Sequence, residues 1–114
     1  MIWSVYEAEC RLAVYGTLAP GRANAGMLEA LRGSWSAGTV RGRRVAAGWG
    51  NAAGFPAVQL DEAGDVVEVA VFESDDLPAH WARLDAFEGD EYERVIAPVA
   101  IGDRIVPACI YVAR

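Results

Sequence analysis

Two apolar runs separated by only two residues form the last part of the chain. They extend over residues 92–101 and 104–112, and the Gly102-Asp103 pair between them suits the tight turn of a β-hairpin. We therefore expect this part of the chain to form antiparallel sheet. Pro107 lies inside the second run. Because proline cannot donate a ladder hydrogen bond, it predicts that the last strand is at an edge or is bulged.

Further strands are predicted upstream of this hairpin. An apolar run over residues 12–15 stops at Gly16 and is typical of a buried strand that ends in a turn. Residues 34–54 alternate small, polar and apolar side chains and contain five glycines, which is consistent with one or two twisted strands. The runs 55–60 and 66–72 flank an acidic turn and predict a second hairpin. One face of the latter run carries Val67, Val69 and Val71.

Two helices are predicted between the strands. Asn24 can cap the first helix, which is expected to end at Gly33. The capping residues 74–76 precede a second, amphipathic helix of about three turns that ends near Phe87 or Gly89. The apolar positions of the two helices are Met27, Leu28 and Leu31, and then Leu77, Trp81 and Leu84.

The length of 114 residues limits the chain to one domain. The order of elements predicts an α+β fold with a small barrel-like mixed or antiparallel sheet and two or so packed helices. A net charge of -6 counts against nucleic acid or an anionic membrane as a partner, and favours a small neutral or zwitterionic ligand. Two cysteines and one histidine, without a CxxC motif, support neither a zinc site nor a disulfide framework. With neither an export signal nor a membrane span in the sequence, we expect a cytoplasmic protein.

A loop rich in glycine and proline follows the first predicted strand and precedes the first predicted helix. At such a place backbone N–H groups can converge on an anionic or carbonyl oxygen. Gly16 and Gly21 have the spacing of a phosphate-binding loop, but Arg22-Ala23 stands where that loop needs lysine and serine or threonine. The loop therefore does not predict a nucleotide site, and an ordinary turn is the alternative.

Acidic side chains crowd the end of the second predicted helix, in residues 84–94. A solvated acidic turn is the simplest interpretation. In the alternative, Glu88 beside Phe87 is partly desolvated, which raises its proton affinity towards that of a useful base. Asp85 and Asp90 could add like-charge repulsion, although Asp85 is equally placed to make a structural hydrogen bond.

Together these two segments resemble the gamma-glutamylcyclotransferase-like family. The resemblance extends from about Arg11 to the C-terminus, so residues 1–10 lie outside it. The matching residues are Tyr15-Gly16-Thr17-Leu18 with Gly21 and Asn24, Phe55-Pro56-Ala57, and Leu84-Asp85-Ala86-Phe87-Glu88-Gly89 followed by Tyr92 and Arg94.

The resemblance implies a barrel-like fold and an enzyme that releases 5-oxoproline from a gamma-glutamyl amino acid or amine. In that reaction the free α-amine of the glutamyl group attacks its own γ-carbonyl and expels an amine. The family's catalytic glutamate corresponds to Glu88, and no metal or cofactor is implied. The substrate would be held by Tyr15, Gly16, Thr17 and Leu18, with Tyr92 as a further candidate. A monomer and a homodimer are both left open.

Several residues keep two interpretations. Tyr15 either faces the pocket or packs in the core, and Tyr111 is expected in the core, with a hydroxyl directed to the pocket as the alternative. Arg94 offers a fork for a substrate carboxylate or forms a salt bridge. His80 is expected to be exposed. The core is expected to include Trp35, Trp49 and Trp81.

Two rival functions also fit the sequence. One is a non-catalytic module that binds a small metabolite in the same pocket, and the other is a structural domain whose matching residues only maintain the fold. The presence of Glu88 favours the enzyme.

Overall fold

Ten segments of regular structure follow one another in the computed structural model, which describes residues 4–15, 25–47 and 55–113. The two α-helices are α1 (Val5–Glu9) and α2 (Trp81–Glu88), and shorter 3-10 turns cover Ala25–Met27 and Leu77–His80. The strands are β1 (Arg11–Val14), β2 (Ser34–Ala47), β3 (Phe55–Leu60), β4 (Asp65–Glu73), β5 (Tyr92–Ile101) and β6 (Arg104–Ala113). No helix in the described segments is long and apolar enough to cross a membrane.

The strands form one mixed sheet that closes into a barrel. Their order is β3-β2-β4-β1-β6-β5, and a pairing of Thr39 on β2 with Ala100 on β5 closes the ring. Five strands make up the barrel, and β3 is an additional strand paired along the second half of β2. β1 and β6 are parallel, whereas the other pairs are antiparallel. The predicted α+β fold with a barrel-like sheet is therefore confirmed.

Alternate residues of the strands enter two separate apolar clusters, because successive side chains of a strand point to opposite faces. On β1, for example, Ala13 belongs to one cluster and Leu12 to the other. The first cluster, which we call the barrel core, contains strand residues only, and Val58, Val99 and Ile110 are fully buried in it. The second, which we call the helix-side core, joins the opposite strand face to Leu77, Trp81 and Leu84. These three residues are buried as the predicted amphipathic stripe requires.

The C-terminal hairpin is confirmed with its predicted turn, and Gly102 adopts a positive φ of 60° there. The edge position inferred from Pro107 is wrong, because β6 lies between β1 and β5. β1 is short and pairs with β6 at Cys109 and Ile110, so it does not reach the proline. Instead, the Arg11 side chain donates a hydrogen bond to the carbonyl oxygen of Pro107 at 3.1 Å.

The predicted hairpin of residues 55–60 with 66–72 is also wrong. Both strands pair with β2, which has 14 residues. The first part of β2 pairs with β4 and the second part with β3. Gly42 marks the change, since it is in register with Leu60 of β3 and with Asp65 of β4. The acidic turn therefore connects two strands that share a partner.

The predicted first helix is reduced to a 3-10 turn over Ala25–Met27 followed by further turns. Gly26 disfavours a regular helix at this point, while Leu28 and Leu31 are buried as expected. The second helix is confirmed: it begins as a 3-10 turn and ends at Gly89. Of the uncertain stretch 34–54, residues 34–47 form one strand and the remainder lies outside the described residues.

The helix α1 was not predicted, although the sequence carries a signal for it. Ser4 followed three residues later by Glu7 has the spacing of a capping box, and the Ser4 hydroxyl accepts a hydrogen bond from the Glu7 backbone N–H at 3.4 Å. Ala8 on this helix is fully buried. Arg11, at the start of β1, forms ion pairs with Glu7 at 3.0 Å and with Glu73 at 3.4 Å.

Candidate functional site

Glu88 is the last residue of α2 and is half-buried. Burial withdraws its carboxyl from water and raises its pKa from 4.5 to about 7. The residue also lies at the negative end of the helix dipole, which disfavours the carboxylate in the same direction. At Gly89 the chain leaves the helix with φ 83° and ψ -172°, a conformation that glycine adopts readily. The desolvation expected from the sequence is present.

Three phenols from three strands lie within electrostatic range of Glu88. They are Tyr15 immediately after β1, Tyr92 on β5 and Tyr111 on β6. Burial raises the pKa of each phenol above its ordinary value, so all three are uncharged near neutral pH. The structure thus brings together Glu88 and the two described tyrosines of the predicted site, Tyr15 and Tyr92, and adds Tyr111.

The hydroxyl of Tyr15 is engaged with the protein itself. It donates a hydrogen bond to the carbonyl oxygen of Tyr111 at 2.6 Å and accepts one from the Val58 backbone N–H at 3.1 Å. These bonds tie the end of β1 to β6 and β3. They also fix the point at which the chain enters the predicted binding loop, whose residues Gly16, Thr17 and Leu18 lie outside the described residues.

Tyr15 also lies in the wall of an open cavity of about 650 Å³ between β1, β2, β4 and β5. Its polar wall residues include Thr39, Arg44 and Glu68. Glu88 does not line this cavity, although it acts electrostatically on Tyr15, which does. The Tyr15 hydroxyl therefore makes structural hydrogen bonds and the residue lines this cavity, while its contact with a substrate stays a prediction.

Asp85 precedes Glu88 by one helical turn and accepts hydrogen bonds from two strands. Arg94 on β5 donates to both carboxylate oxygens, at 2.9 Å from Nε and 3.2 Å from Nη2. The Tyr111 hydroxyl donates to Oδ1 at 2.6 Å. Burial acts to raise the pKa of Asp85, but these donated hydrogen bonds outweigh it and lower the pKa. The salt-bridge interpretation of Arg94 is therefore confirmed, and the Tyr111 hydroxyl bonds to Asp85.

The guanidinium of Arg94 also lies over the ring of Trp81, 4.5 Å from its centroid, in cation–π geometry. Trp81 is buried, as predicted. By contrast, Trp35 is 37% exposed and packs on Phe72 with ring centroids 4.9 Å apart, so its assignment to the core is wrong. Trp49 lies outside the described residues. His80 is partly exposed beside Arg83.

Within residues 4–15, 25–47 and 55–113, no group of three or more histidine, cysteine or acidic side chains could hold a metal ion. Cys10 and Cys109 are free thiols, and both are buried.

The class of protein follows from sequence comparison, which agrees with the barrel fold. The family described as "Gamma-glutamyl cyclotransferase, AIG2-like" matches residues 12–114. The chain belongs to this family, whose membership supports a cyclotransferase-type function. Among curated proteins, no match was found.

Solved structures with the same fold include two with a TM-score of 0.71. One is an AIG2-like protein from Mus musculus, 25% identical over 91% of this chain and 76% of that one. The other is YkqA from Bacillus subtilis, 24% identical over 92% of this chain and only 36% of that one. The present chain therefore spans about a third of the length of YkqA. An uncharacterised Pyrococcus horikoshii protein is similar at a TM-score of 0.64, with 21% identity over 90% of this chain and 76% of that one.

Proposed function

We propose that this protein is a cytoplasmic enzyme that converts a gamma-glutamyl amino acid or amine into 5-oxoproline and a free amine. The observation that carries the proposal is the half-buried carboxyl of Glu88, whose pKa is raised to about 7, with the phenols of Tyr15 and Tyr92 within electrostatic range. A group with this pKa exists in both protonation states near neutral pH. It can therefore accept a proton in one step and return it in the next.

The first step needs a base, because the α-ammonium of a gamma-glutamyl group has no lone pair. The Glu88 carboxylate accepts one ammonium proton, and the freed amine attacks the γ-carbonyl carbon. This forms the new C–N bond of the ring, and the carbonyl electron pair moves onto oxygen. Because the attack is intramolecular, the protein's main contribution to this step is to hold the flexible glutamyl chain in its cyclic shape.

The second step needs an acid. As the tetrahedral intermediate collapses, the protonated Glu88 carboxyl delivers a proton to the leaving nitrogen, the old C–N bond breaks and the amine departs. After the attack the ring nitrogen carries two hydrogens: one stays as the N–H of the neutral lactam, and the other passes to water, or to the regenerated Glu88 carboxylate and from there to water or to the departing amine. Every atom and charge balances with one carboxyl, and the steps as written use neither a metal nor a cofactor.

The developing oxyanion requires preorganised hydrogen-bond donors. In this proposal the backbone N–H groups of Gly16, Thr17 and Leu18 supply them, each worth about 3 kcal/mol of barrier. Support comes from Tyr15, whose two hydrogen bonds anchor the residue from which this loop starts, within electrostatic range of Glu88. Tyr92 would bind the glutamyl group, and the polar cavity beyond Tyr15 gives a leaving group room.

The test is product analysis with a matched pair of variants. The purified chain is incubated with a panel of gamma-glutamyl amino acids and amines, and 5-oxoproline is measured by mass spectrometry. Glu88→Gln keeps the side-chain shape but removes the proton acceptor, and we expect about a 100- to 10,000-fold lower rate. Glu93→Gln makes the same chemical change at an exposed position on β5 and should leave the rate unchanged.

The outcomes separate the rival functions. Ligand binding without product from the wild type would favour the non-catalytic binding module. A Glu88→Gln variant with unchanged activity and affinity would refute the proposed role of Glu88. If the wild type shows no turnover and Glu88→Gln binds ligands equally well, a purely structural role for the matching residues is favoured.

A further inference from the structure

The last turn of α2 is clamped by two strands through Asp85. Residues three apart on a helix are neighbours on its surface, so the carboxylate that β5 and β6 hold lies next to Glu88. The three bonds to Asp85 measure 2.6, 2.9 and 3.2 Å, and they come from Tyr111 and Arg94. The Asp85 carbonyl also accepts the Gly89 N–H at 3.1 Å, which is the bond that closes the helix. Asp85 thus joins the helix end to the barrel.

The first residue of α2 is fixed as well. The Trp81 indole N–H donates to the carbonyl oxygen of Glu9 at 3.0 Å, while Arg94 stacks on the face of the same ring. Arg94 consequently contacts both ends of the helix, the ring of Trp81 and the carboxylate of Asp85. One guanidinium on β5 therefore contacts α2 at its first residue and in its last turn.

Glu9, which accepts the hydrogen bond from Trp81, lies in the segment 4–11. This segment precedes the family match at residues 12–114. This segment is docked against the rest of the chain. Ala8 is fully buried, and the Cys10 carbonyl accepts the Ser74 N–H at 2.8 Å just before the 3-10 turn that leads into α2. Arg11 is 8% exposed; it forms ion pairs with Glu7 and Glu73 and donates a hydrogen bond to the Pro107 carbonyl.

We propose that Asp85 and Trp81 are positioning residues: together with Arg94, Tyr111 and the N-terminal segment 4–11, they hold the last turn of α2 so that the Glu88 carboxyl stays half-buried against the barrel. Neither residue is assigned a contact with substrate. The functional consequence rests on the proposed role of Glu88, whereas the positioning itself can be measured without any reaction.

A titration of the Glu88 carboxyl can be interpreted because the titratable groups within electrostatic range of it are known. They are the phenols of Tyr15 from β1, Tyr92 from β5 and Tyr111 from β6, with the ion pair of Asp85 and Arg94 close by. The phenols are uncharged near neutral pH, so the elevated proton affinity of Glu88 follows from burial. A loosened helix end would expose the carboxyl and return its pKa towards 4.5.

The experiment is a carbon-13 NMR titration of the Glu88 carboxyl in the full chain, combined with steady-state kinetics on the panel substrate that the wild type turns over fastest. Asp85→Asn removes the negative charge and one of the two oxygens that accept hydrogen bonds from Arg94 and Tyr111. Trp81→Phe keeps a ring under Arg94 but loses the donor to Glu9. We expect the Glu88 titration to fall by about one unit or more in both variants. We also expect kcat to fall about 10- to 100-fold, with KM changed less than about threefold.

Two controls separate position from charge. Asp90→Asn removes the same charge two residues after Glu88, at an exposed site, and should not move the titration. Tyr111→Phe removes one neutral donor to Asp85 and should lower the Glu88 titration without any change of charge. Thermal unfolding verifies that each variant is folded, and Tyr111→Phe decides the question if Asp85→Asn does not fold.

An unchanged Glu88 titration in the folded variants would overturn the proposal. An equal shift in Asp90→Asn would also overturn it, because charge alone would then explain the effect. If Trp81→Phe alone had no effect, the hydrogen bond from Trp81 to the N-terminal segment would not be one of the contacts that hold the last turn of α2. Absence of turnover in the wild type would refute the proposed reaction, and the titration would still decide whether Asp85 and Trp81 hold Glu88 in place.

Discussion

Inside the barrel, the buried cluster consists of alanine, valine and isoleucine, whereas the face beneath the helices also buries Tyr111, Cys109 and Trp81. An aliphatic cluster needs no hydrogen-bond partners, and it stabilises the fold through burial and close packing alone. The helix-side core needs partners for its polar groups, and they come from Asp85, Arg94 and the Glu9 carbonyl. The two faces of the same strands therefore differ in composition, and the proposed base Glu88 belongs to the helix that covers the more polar face.

The largest expected effect comes from truncating one buried side chain in each apolar cluster. Both variants should lose stability, but only one should lose activity. Ile110 and Leu84 are both fully buried, one in the barrel core and one in the helix-side core a turn before Glu88. Truncation of either side chain to alanine should cost about 2–5 kcal/mol of unfolding free energy, because it leaves a cavity. Urea denaturation measures this loss.

The activity of the folded fraction should nevertheless differ between the two variants. Ile110→Ala should keep the wild-type kcat, since Ile110 lies on the strand face opposite Tyr111, which bonds to Asp85 on α2. Leu84→Ala should lower kcat, because it loosens the helix that carries the carboxyl. Equal kcat values in the two variants would show that the two faces are not functionally distinct.

Much of this division could be predicted from the sequence where local signals were strong. The two-residue turn at Gly102-Asp103 fixes the register of β5 against β6, and that register places Arg94 opposite Tyr111. Glu88 at the end of an amphipathic helix beside Phe87 was a correct signal for desolvation. These features depend on neighbours in sequence or on one tight turn.

Long-range pairings could not be predicted in this way. The pairing of β2 with both β3 and β4 depends on the length of β2, and the sequence around the acidic turn is also compatible with a simple hairpin. The contacts of Asp85 with Arg94 and Tyr111 require the position of α2 on the barrel, which no local pattern specifies. The Ser4 and Glu7 spacing was a missed local signal for α1.

Two glycines with positive φ offer a smaller and sharper comparison. Gly89 ends α2 beside Glu88 with φ 83° and ψ -172°, a region that is nearly specific to glycine, whereas Gly102 turns the hairpin of β5 and β6 at φ 60°. Gly89→Ala should cost about 1–3 kcal/mol and Gly102→Ala about 1 kcal/mol. A Cβ at Gly102 meets nothing within 4 Å, and one at Gly89 meets only a Glu91 carboxylate oxygen at 3.5 Å, so strain and not collision causes both losses.

The same pair tests where the site lies. Gly89→Ala should lower kcat in the folded protein because it reorients the residue that follows Glu88. Gly102→Ala should have a smaller effect, because Gly102 lines only the cavity proposed for the leaving group. Chemical denaturation and initial rates on both variants provide the comparison. A larger loss of activity from Gly102→Ala would place the functional centre at the hairpin end of the barrel.

The smallest expected effect concerns the pH dependence of stability, where two carboxyls on α2 have opposite signs. The pKa of Glu88 is higher in the folded protein than its ordinary value of 4.5, so protonation favours folding. Its contribution is complete below pH 4.5 and is lost as the pH rises through about 7. For Asp85 the folded pKa is lowered, so its contribution is present above its ordinary pKa of 3.8 and is lost as the pH falls.

A comparison of the wild type with Glu88→Gln isolates the first of these contributions. Because Glu88 is only half-buried, solvent screening reduces the difference, and we expect the wild type to lose about 1 kcal/mol more than the variant between pH 5 and pH 8. Urea denaturation at the two pH values measures it, and the subtraction removes groups common to both proteins. Parallel pH profiles would mean that Glu88 has the same pKa in the folded and unfolded chain. The carboxyl would then be solvated, and the contrast between the barrel core and the helix side would no longer identify a catalytic base.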